Sequence, residues 1–90
     1  MEPLNAAIYK KRGGVFLAMK KYPEAIADYT ESLRLNPKNP KAYHNRGLAF
    51  YYLRRYDEAI EDLTSALKLD PRNVHIYNNR GNAYNDIKRH

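Results

Sequence analysis

The sequence predicts an all-α fold in which one pair of helices is repeated along the chain. The first observation is a period of 34 residues, which is visible at Gly13, Gly47 and Gly81 and needs no gap. The second is that proline and asparagine recur at the same period, where one helix should stop and the next should begin. The third is that apolar residues within each unit are spaced by three and four, as on one face of a helix.

The period divides the chain of 90 residues into four segments. Residues 1–5 look like the tail of a preceding unit, 6–39 and 40–73 are two complete units, and 74–90 is the first helix of a third. We therefore expect about five antiparallel helices, namely two hairpins followed by a single helix. The incomplete units at both ends suggest a fragment of a longer repeat array, or a chain engineered from one.

Each helix is predicted from local start signals. In the middle unit, Asn39 can cap the first helix, and Pro40 is tolerated in its first turn because the N–H that proline lacks would have no partner there. The second helix is expected over about 57–69, with early acidic residues that suit the positive end of the helix dipole. Asn5 and Asn73 hold the equivalent capping positions.

This pattern resembles the tetratricopeptide repeat family, whose units are helix–turn–helix pairs of about 34 residues. In the middle unit the resemblance rests on Tyr43, Gly47, Phe50, Tyr56, Ala59, Leu63, Ala66 and Pro71. It implies a right-handed α-α superhelix, a solenoid in which Gly13, Gly47 and Gly81 let neighbouring helices approach closely. It also implies that most of the tyrosines, including Tyr77 and Tyr84, fill packing positions.

Arginine departs from the family pattern, because Arg12, Arg46 and Arg80 stand where the family often has leucine. They recur together with Asp28 and Asp62. Two interpretations follow: the charges pair across packed helices, or each charge faces solvent independently.

Composition and motifs argue against an enzyme. The chain has no cysteine, which excludes disulfides, thiolate zinc sites and thiol catalysis. The three histidines form no HExxH motif, and there is neither a phosphate-binding glycine loop nor a serine elbow. We therefore expect no catalytic residue, no metal site and no cofactor. No secretory signal and no apolar run of ~20 residues is present, which favours a soluble cytoplasmic protein without a membrane partner.

The family resemblance also implies a concave groove lined by the first helix of each unit. The residues left for it after the apolar stripe is assigned are Lys10, Lys41, His44, Asn45, Leu48, Tyr51, Tyr52, His75, Asn78, Asn79 and Asn82. Asparagine both donates and accepts hydrogen bonds, so Asn45 and Asn79 can hold the backbone of an extended ligand whatever its side chains. The sequence thus predicts a non-catalytic interaction scaffold for an extended protein segment or peptide, with lysine and histidine favouring acidic ligands.

A carboxylate clamp for C-terminal tails is a different use of this family. Lys10 and Asn45 match the clamp pattern, whereas Gly14, His75 and Asn79 stand at its other three positions. The sequence therefore disfavours a tail clamp.

Two further classes of function stay open. The last helix lacks a second helix of its own, so its exposed face predicts self-association of a structural spacer into a homo-oligomer. Basic pairs also recur at the turn inside each unit, at Lys20–Lys21, Arg54–Arg55 and Lys88–Arg89, in a chain of net charge +6. Such a basic ridge attracts phosphates, although nucleic acid is the less favoured partner.

Overall fold

The computed structural model describes residues 5–88, which form five α-helices and no strand. The helices are α1 (Ala6–Ala18), α2 (Tyr22–Leu35), α3 (Pro40–Tyr52), α4 (Tyr56–Leu69) and α5 (Val74–Ile87). The predicted all-α fold of about five helices is confirmed. Most of the expected tail of a preceding unit (residues 1–4) and the last two residues (89–90) lie outside the described part of the chain.

The three first helices begin at the asparagines that the sequence singled out. The Asn39 side chain accepts hydrogen bonds from the backbone N–H groups of Lys41 at 3.0 Å and Ala42 at 3.4 Å. Asn5 caps α1 and Asn73 caps α5 through the same side-chain oxygen. Each cap satisfies N–H groups that have no partner within the helix.

The turn inside each hairpin is made by a left-handed residue, Lys20 after α1 and Arg54 after α3, each with φ of 62°. The following N–H, from Lys21 or Arg55, reaches back to the carbonyl of Phe16 or Phe50 at 2.8 and 2.9 Å. This is the Schellman arrangement, which usually places glycine at the left-handed position. The repeat therefore builds the same tight turn twice from basic residues.

Helix packing follows chain order. α1 packs on α2 and α3 on α4 within the hairpins, α2 on α3 and α4 on α5 between them, and α1, α3 and α5 lie side by side. One core cluster contains Ala25, Tyr29, Leu33, Ala42 and Ala49, and the other contains Leu63, Ala66, Leu67 and Ile76. Tyr43 packs against both clusters and joins them into one continuous stack.

The close approach expected at the repeated glycines holds at two of the three positions. A Cβ added to Gly13 would lie 3.2 Å from the Tyr29 ring, and one added to Gly47 would lie 3.1 Å from Leu63. At Gly81 the prediction is wrong for the described part of the chain, because none of its atoms lies within 4 Å of such a Cβ. Within residues 5–88, no second helix covers this side of α5.

The tyrosines on the same side of α5 depart from the sequence expectation as well. Tyr77 and Tyr84 are each 47% exposed and do not fill packing positions among the described residues. By contrast, the equivalent ring in α3, Tyr43, packs against both core clusters. Tyrosine, arginine and glycine recur at the same positions of the three first helices. The difference in burial comes from the second helix of the same unit, which packs on α1 and on α3 but, within residues 5–88, not on α5.

The arginines pair across helices. Arg12 donates to both carboxylate oxygens of Asp28 at 2.7 and 2.8 Å, and Arg46 donates to both oxygens of Asp62 at 2.7 Å. The interpretation of charges paired across packed helices is therefore correct for these two arginines, and that of independent solvent-facing charges is wrong.

Candidate functional site

The candidate site is the surface formed by the three adjacent first helices, α1, α3 and α5. Its residues are brought together in separate patches: one between the N-terminal halves of α3 and α5, one near the C-terminal ends of α1 and α3, and one along the start of α1. Asn78 and Asn82 are exposed on α5 and line none of these cavities. The predicted residues that line cavities therefore lie in separate cavities and not in a single pocket.

The first cavity, of about 440 Å³, brings Lys41, His44 and His75 together. Lys41 and His44 lie in the first turns of α3, just after its asparagine cap, and His75 occupies the position of Lys41 one period later on α5. Asp70 also lines this cavity, and its carboxylate accepts a hydrogen bond from the Asn73 side chain at 3.0 Å. The cavity is therefore lined by the cation of Lys41 and by an aspartate whose carboxylate is already hydrogen-bonded.

A hydrogen bond of 2.7 Å joins His44 Nε2 to the side-chain nitrogen of Asn79. An amide nitrogen can only donate, so with this amide orientation Nε2 accepts and the proton of a neutral ring sits on Nδ1. Burial, together with the nearby His75, lowers the pKa of His44 below its ordinary value. His44 is therefore a neutral residue that orients Asn79.

Asn45 is half-buried and lies next to the hydroxyl of Tyr29. That hydroxyl is fully buried and has no partner at hydrogen-bonding distance and angle within the described chain. Burial raises the pKa of Tyr29, and the Asn45 side chain acts in the opposite direction. The sequence analysis missed Tyr29 as a neighbour of the site; the signal was a polar ring at the position where the next unit has Leu63.

Tyr51 and Tyr52 belong to a group of packed rings. The Tyr51 hydroxyl donates a hydrogen bond to the Asp86 carboxylate, and this bond is the main cause that raises the pKa of Tyr51 to about 12. The Tyr52 ring stacks on Tyr22 with centroids 5.2 Å apart, yet Tyr52 remains 55% exposed. The hydrogen bond of Tyr51 thus joins α3 to α5, whereas the Tyr52 ring is exposed enough to contact a ligand.

The second cavity, of about 560 Å³, is mainly apolar and is lined by Leu17, Ala18, Lys20, Tyr22, Leu48 and Tyr52. It lies at the C-terminal end of α3, whereas Lys41 and the first cavity lie at its N-terminal end. Eleven helical residues separate Lys41 from Tyr52, which corresponds to ~16 Å along the helix axis. An extended peptide covers that distance with about five residues.

A third cavity, of about 310 Å³, lies on α1 and contains Lys10 beside Lys11. Lys10 therefore faces a different cavity from Lys41 and His75. The structure places these three on the same helix layer but does not gather them around one point.

Of the predicted basic ridge, Lys20, Lys21, Arg54 and Lys88 are exposed, and Arg89 lies outside the described residues. Arg55 is exposed as well, but its guanidinium pairs with Glu58 on the first turn of α4. Nucleic-acid binding stays a prediction.

Two other classes of site, a metal centre and a membrane-spanning helix, are not found within residues 5–88. No three histidine, cysteine, aspartate or glutamate side chains converge there in a way that would hold a metal ion. None of the helices in that range has the length and apolar character needed to cross a bilayer.

Family models match most of the chain. A model described as tetratricopeptide repeat matches residues 40–73, and a model described as TPR repeat matches residues 13–53. A search of curated proteins gives no significant match.

Solved structures give close matches. The TPR domain of Arabidopsis OM64 is 33% identical with a TM-score of 0.90, over 93% of this chain and 69% of that one. The second TPR of Spaghetti (RPAP3), bound to the HSP90 peptide SRMEEVD, is 30% identical with a TM-score of 0.90, over 94% and 79%. The second TPR domain of human RPAP3, in complex with the HSP70 peptide SGPTIEEVD, is 30% identical with a TM-score of 0.86, over 89% and 67%.

Proposed function

Because the chain belongs to the tetratricopeptide repeat family, we propose that it is a non-catalytic scaffold that binds an extended acidic peptide across α1, α3 and α5. The observation that carries the proposal is the similarity to two TPR domains bound to chaperone peptides, both of which end in Glu-Glu-Val-Asp. In this proposal the units are 6–39 and 40–73, with 74–90 as a half-unit.

The charge of the surface supports an acidic ligand. The chain carries a net charge of +6, and Lys10 and Lys41 each line a cavity on the ligand-facing helices. Long-range attraction of this kind raises the rate of encounter with an oppositely charged peptide and weakens as salt increases. Ligand binding through these lysines is therefore salt-dependent.

The two asparagines supply contacts that do not depend on the ligand's side chains. Asn79 uses its side-chain nitrogen on His44, which leaves its carbonyl oxygen to accept a peptide N–H. Asn45 is half-buried beside Tyr29, so part of its side chain remains accessible to a ligand. A hydrogen bond of this type contributes ~0.5–1.5 kcal/mol, so two of them support micromolar or weaker affinity.

The apolar cavity supplies a second type of contact. Leu48 and the exposed ring of Tyr52 lie about five extended residues from the cationic cavity at the other end of α3. The best ligand in this proposal carries an apolar side chain at one end and a carboxylate about five residues away.

The experiment measures fluorescence anisotropy of a labelled SRMEEVD peptide against the parent chain and an Asn45→Ala/Asn79→Ala variant. The double variant should weaken binding by about 5- to 150-fold, because two backbone contacts of this size are lost. Lys41→Ala should also weaken binding, whereas Lys68→Ala removes the same charge from an exposed position on α4 and should not. Equal affinity of the parent and the double variant would reject the proposal.

The same assay tests how the peptide terminus is held. His75 and Asn79 stand where a carboxylate clamp has lysine and arginine, so the site lacks two cations that a terminal carboxylate would need. We therefore expect amidation of the peptide C-terminus to change its affinity by less than about threefold. A larger loss would restore the tail clamp.

A structural spacer that self-associates is the second candidate, and exposed apolar side chains on α5 favour it. Val74 is 65% exposed, and Tyr77 and Tyr84 are each 47% exposed. Sedimentation equilibrium separates the candidates, since the spacer forms concentration-dependent oligomers without peptide, while the scaffold binds peptide as a monomer.

A further inference from the structure

The hydroxyl of Tyr29 is a buried polar group that the fold leaves without a partner. Among the buried side-chain nitrogen and oxygen atoms of residues 5–88, it is the one that makes no hydrogen bond in good geometry. The Tyr29 side chain is fully buried, so bulk water does not replace the missing partner. Buried polar groups in native proteins are almost always hydrogen-bonded, and an exception calls for an explanation.

This hydroxyl lies just beneath the surface that faces the proposed ligand. A Cβ added to Gly14 on α1 would lie 3.5 Å from the hydroxyl oxygen, and Asn45 on α3 lies beside the same atom. Gly14 and Asn45 are both only half-buried. The hydroxyl is therefore located at the seam between α1 and α3, two of the three helices of the candidate site.

Gly14 has no packing role that requires glycine. A Cβ at the neighbouring Gly13 would press on the Tyr29 ring at 3.2 Å, whereas one at Gly14 would meet only the hydroxyl outside its own helix, at an ordinary contact distance. Glycine inside a helix is less stable than alanine, because it loses more backbone entropy on folding. Close approach of a ligand backbone is another reason for glycine at a half-exposed position.

The next unit has neither of these two features. Leu48 and Leu63 stand at its positions equivalent to Gly14 and Tyr29. A hydroxyl beneath the surface and a missing side chain above it therefore occur together in the first unit, and the second unit lacks both. Each feature lowers the stability of the free chain, which is the expected pattern where residues serve a ligand rather than the fold.

The groups already present indicate what kind of ligand atom is missing. A tyrosine hydroxyl donates one hydrogen bond, and this proton has no acceptor in good geometry within residues 5–88. Burial raises the pKa of Tyr29, while the Asn45 side chain lowers it, as an N–H group directed at the hydroxyl oxygen does. The missing group is therefore an acceptor oxygen. A neutral carbonyl fits better than a carboxylate, because neither Gly14 nor Asn45 supplies the cation that a desolvated carboxylate needs.

We propose that Gly14, Tyr29 and Asn45 form a subsite for one backbone carbonyl group of the bound peptide. The peptide backbone lies against Gly14, where no side chain holds it away from α1. The Asn45 side chain rotates from the hydroxyl towards the peptide, and the Tyr29 hydroxyl donates to the carbonyl oxygen. Side-chain rotation of this kind is common when a ligand binds. The subsite rests on the proposed function and deepens it, since it adds a contact that depends on no side chain of the ligand.

Opposite effects on stability and affinity distinguish this role from a structural one. Tyr29→Phe removes an unsatisfied hydroxyl from the free chain and a hydrogen bond from the complex. It should therefore raise the urea concentration at the unfolding midpoint and weaken peptide binding. Gly14→Ala should act in the same two directions, because alanine favours the helix and its methyl group covers the hydroxyl.

The assay is fluorescence anisotropy of labelled SRMEEVD with the full chain, and each variant has a matched control. Tyr84→Phe removes a hydroxyl from a half-exposed ring on α5, and Gly81→Ala adds a methyl group where no atom of residues 5–88 lies within 4 Å. Tyr29→Phe should lose about 3- to 10-fold in affinity, as expected for one neutral hydrogen bond, and Gly14→Ala at least as much. Both controls should bind as the parent does.

A second set of peptides identifies the ligand atom. In one series each backbone carbonyl in turn is replaced by a thioamide, whose sulfur is the weaker acceptor, and in the other each acidic residue in turn is replaced by leucine. One thioamide peptide should bind the parent more weakly but Tyr29→Phe no more weakly than the unmodified peptide does, because both changes remove the same hydrogen bond. The same coupling with an acidic side chain would overturn the assignment to a backbone carbonyl.

Two results with the variants would overturn the subsite while the proposed function stands. One is that Lys41→Ala weakens peptide binding but Tyr29→Phe binds as tightly as the parent. The other is that Tyr29→Phe loses stability together with affinity, since the hydroxyl would then support the fold itself. Absence of binding by the parent at up to about 1 mM peptide would overturn both the subsite and the proposed function.

Discussion

Arg46 and Asp62 form an ion pair inside the helix stack, with two parallel hydrogen bonds of 2.7 Å that join α3 to α4. The Arg46 side chain is 19% exposed and that of Asp62 is 6% exposed. The same pair in the first hairpin, Arg12 with Asp28, leaves Arg12 57% exposed. The cause is position, because α3 lies between α2 and α4 while α1 packs on α2 alone among the second helices.

Removing the acid of the more buried pair should cost more stability than removing the acid of the other. Asp62→Ala leaves Arg46 desolvated without a carboxylate, and we expect a loss of ~3–5 kcal/mol in the free energy of unfolding. Asp28→Ala lets Arg12 turn into water, and we expect a clearly smaller loss. Urea unfolding measures both values, and equal losses would contradict the role assigned to burial.

The state of His44 predicts how stability depends on pH. Its pKa is lowered in the folded chain by burial and by His75. The unfolded chain therefore binds the His44 proton more tightly, with a pKa of ~6.5. Neutral His44 therefore makes its full contribution to the free energy of unfolding above about pH 6.5. This contribution is lost as pH falls through the pKa that His44 has in the folded chain.

The measurement is the free energy of unfolding between about pH 5 and pH 8, in the parent and in His44→Gln. The parent should become less stable as pH falls through the lower half of this range, and the variant should show a flatter profile. His75→Gln is the second variant, since it removes the neighbouring charge and should restore part of the stability at low pH. A profile that His44→Gln leaves unchanged would refute the assignment.

The elements of this fold were predictable where the cause is local. The Asn39 side chain caps α3 by bonding to residues only two and three positions away, so a short stretch of sequence is enough to predict where α3 begins. The pairing of Arg46 with Asp62 was suggested by the recurrence of both charges, but deciding between pairing and exposure needed the packing of two helices.

The candidate site was less predictable because its contacts join residues far apart in the chain. His44 meets Asn79, and Tyr51 meets Asp86, each across 35 residues. The period of the repeat places such residues on neighbouring helices, but it does not say which side chains bond to each other. Gly81 shows the opposite problem. The sequence around it is similar to that around Gly47, but the two glycines have different neighbours in the structure.

Alanine at the two glycines should change stability in opposite directions. In Gly47→Ala the new Cβ lies 3.1 Å from Leu63 and 3.2 Å from the Cβ of Asp62, which is tighter than ordinary contact. We expect a loss of ~1–3 kcal/mol from overpacking. In Gly81→Ala the new Cβ has no atom of residues 5–88 within 4 Å, so the higher helix propensity of alanine should raise stability by ~0.5–1 kcal/mol. Thermal unfolding of both variants tests the contrast, and destabilisation by Gly81→Ala would show that α5 is covered in solution.

Because the hydroxyl of Tyr29 is buried, its removal should stabilise the fold. It has no hydrogen-bond partner in good geometry among the described residues, and an unsatisfied buried polar group costs ~1–3 kcal/mol. Tyr29→Phe keeps the ring that fills the space beside Gly13 and removes only the oxygen. We expect the free energy of unfolding to rise by about 1 kcal/mol. The same substitution in an Asn45→Ala background is the control, and a loss of stability confined to the parent background would show that Asn45 is the partner of the hydroxyl.

Loss of the Tyr51 hydroxyl should weaken the attachment of α5 locally. Its hydroxyl donates to Asp86 near the end of α5, and a hydrogen bond to a charged group contributes ~1.5–3 kcal/mol. Tyr51→Phe keeps the ring contacts with Tyr52 and Tyr56 and removes only this bond. Amide hydrogen exchange should therefore become faster in the last turns of α5, because fewer interactions then oppose local opening.

Protection within α2 should stay at the parent level, since none of its residues contacts Asp86 through this bond. Tyr52→Phe is the matched control, with a hydroxyl removed from a largely exposed ring one position away, and it should leave the exchange of α5 unchanged. Uniform loss of protection across all five helices would instead mean that Tyr51 stabilises the whole stack rather than the attachment of α5 to α3.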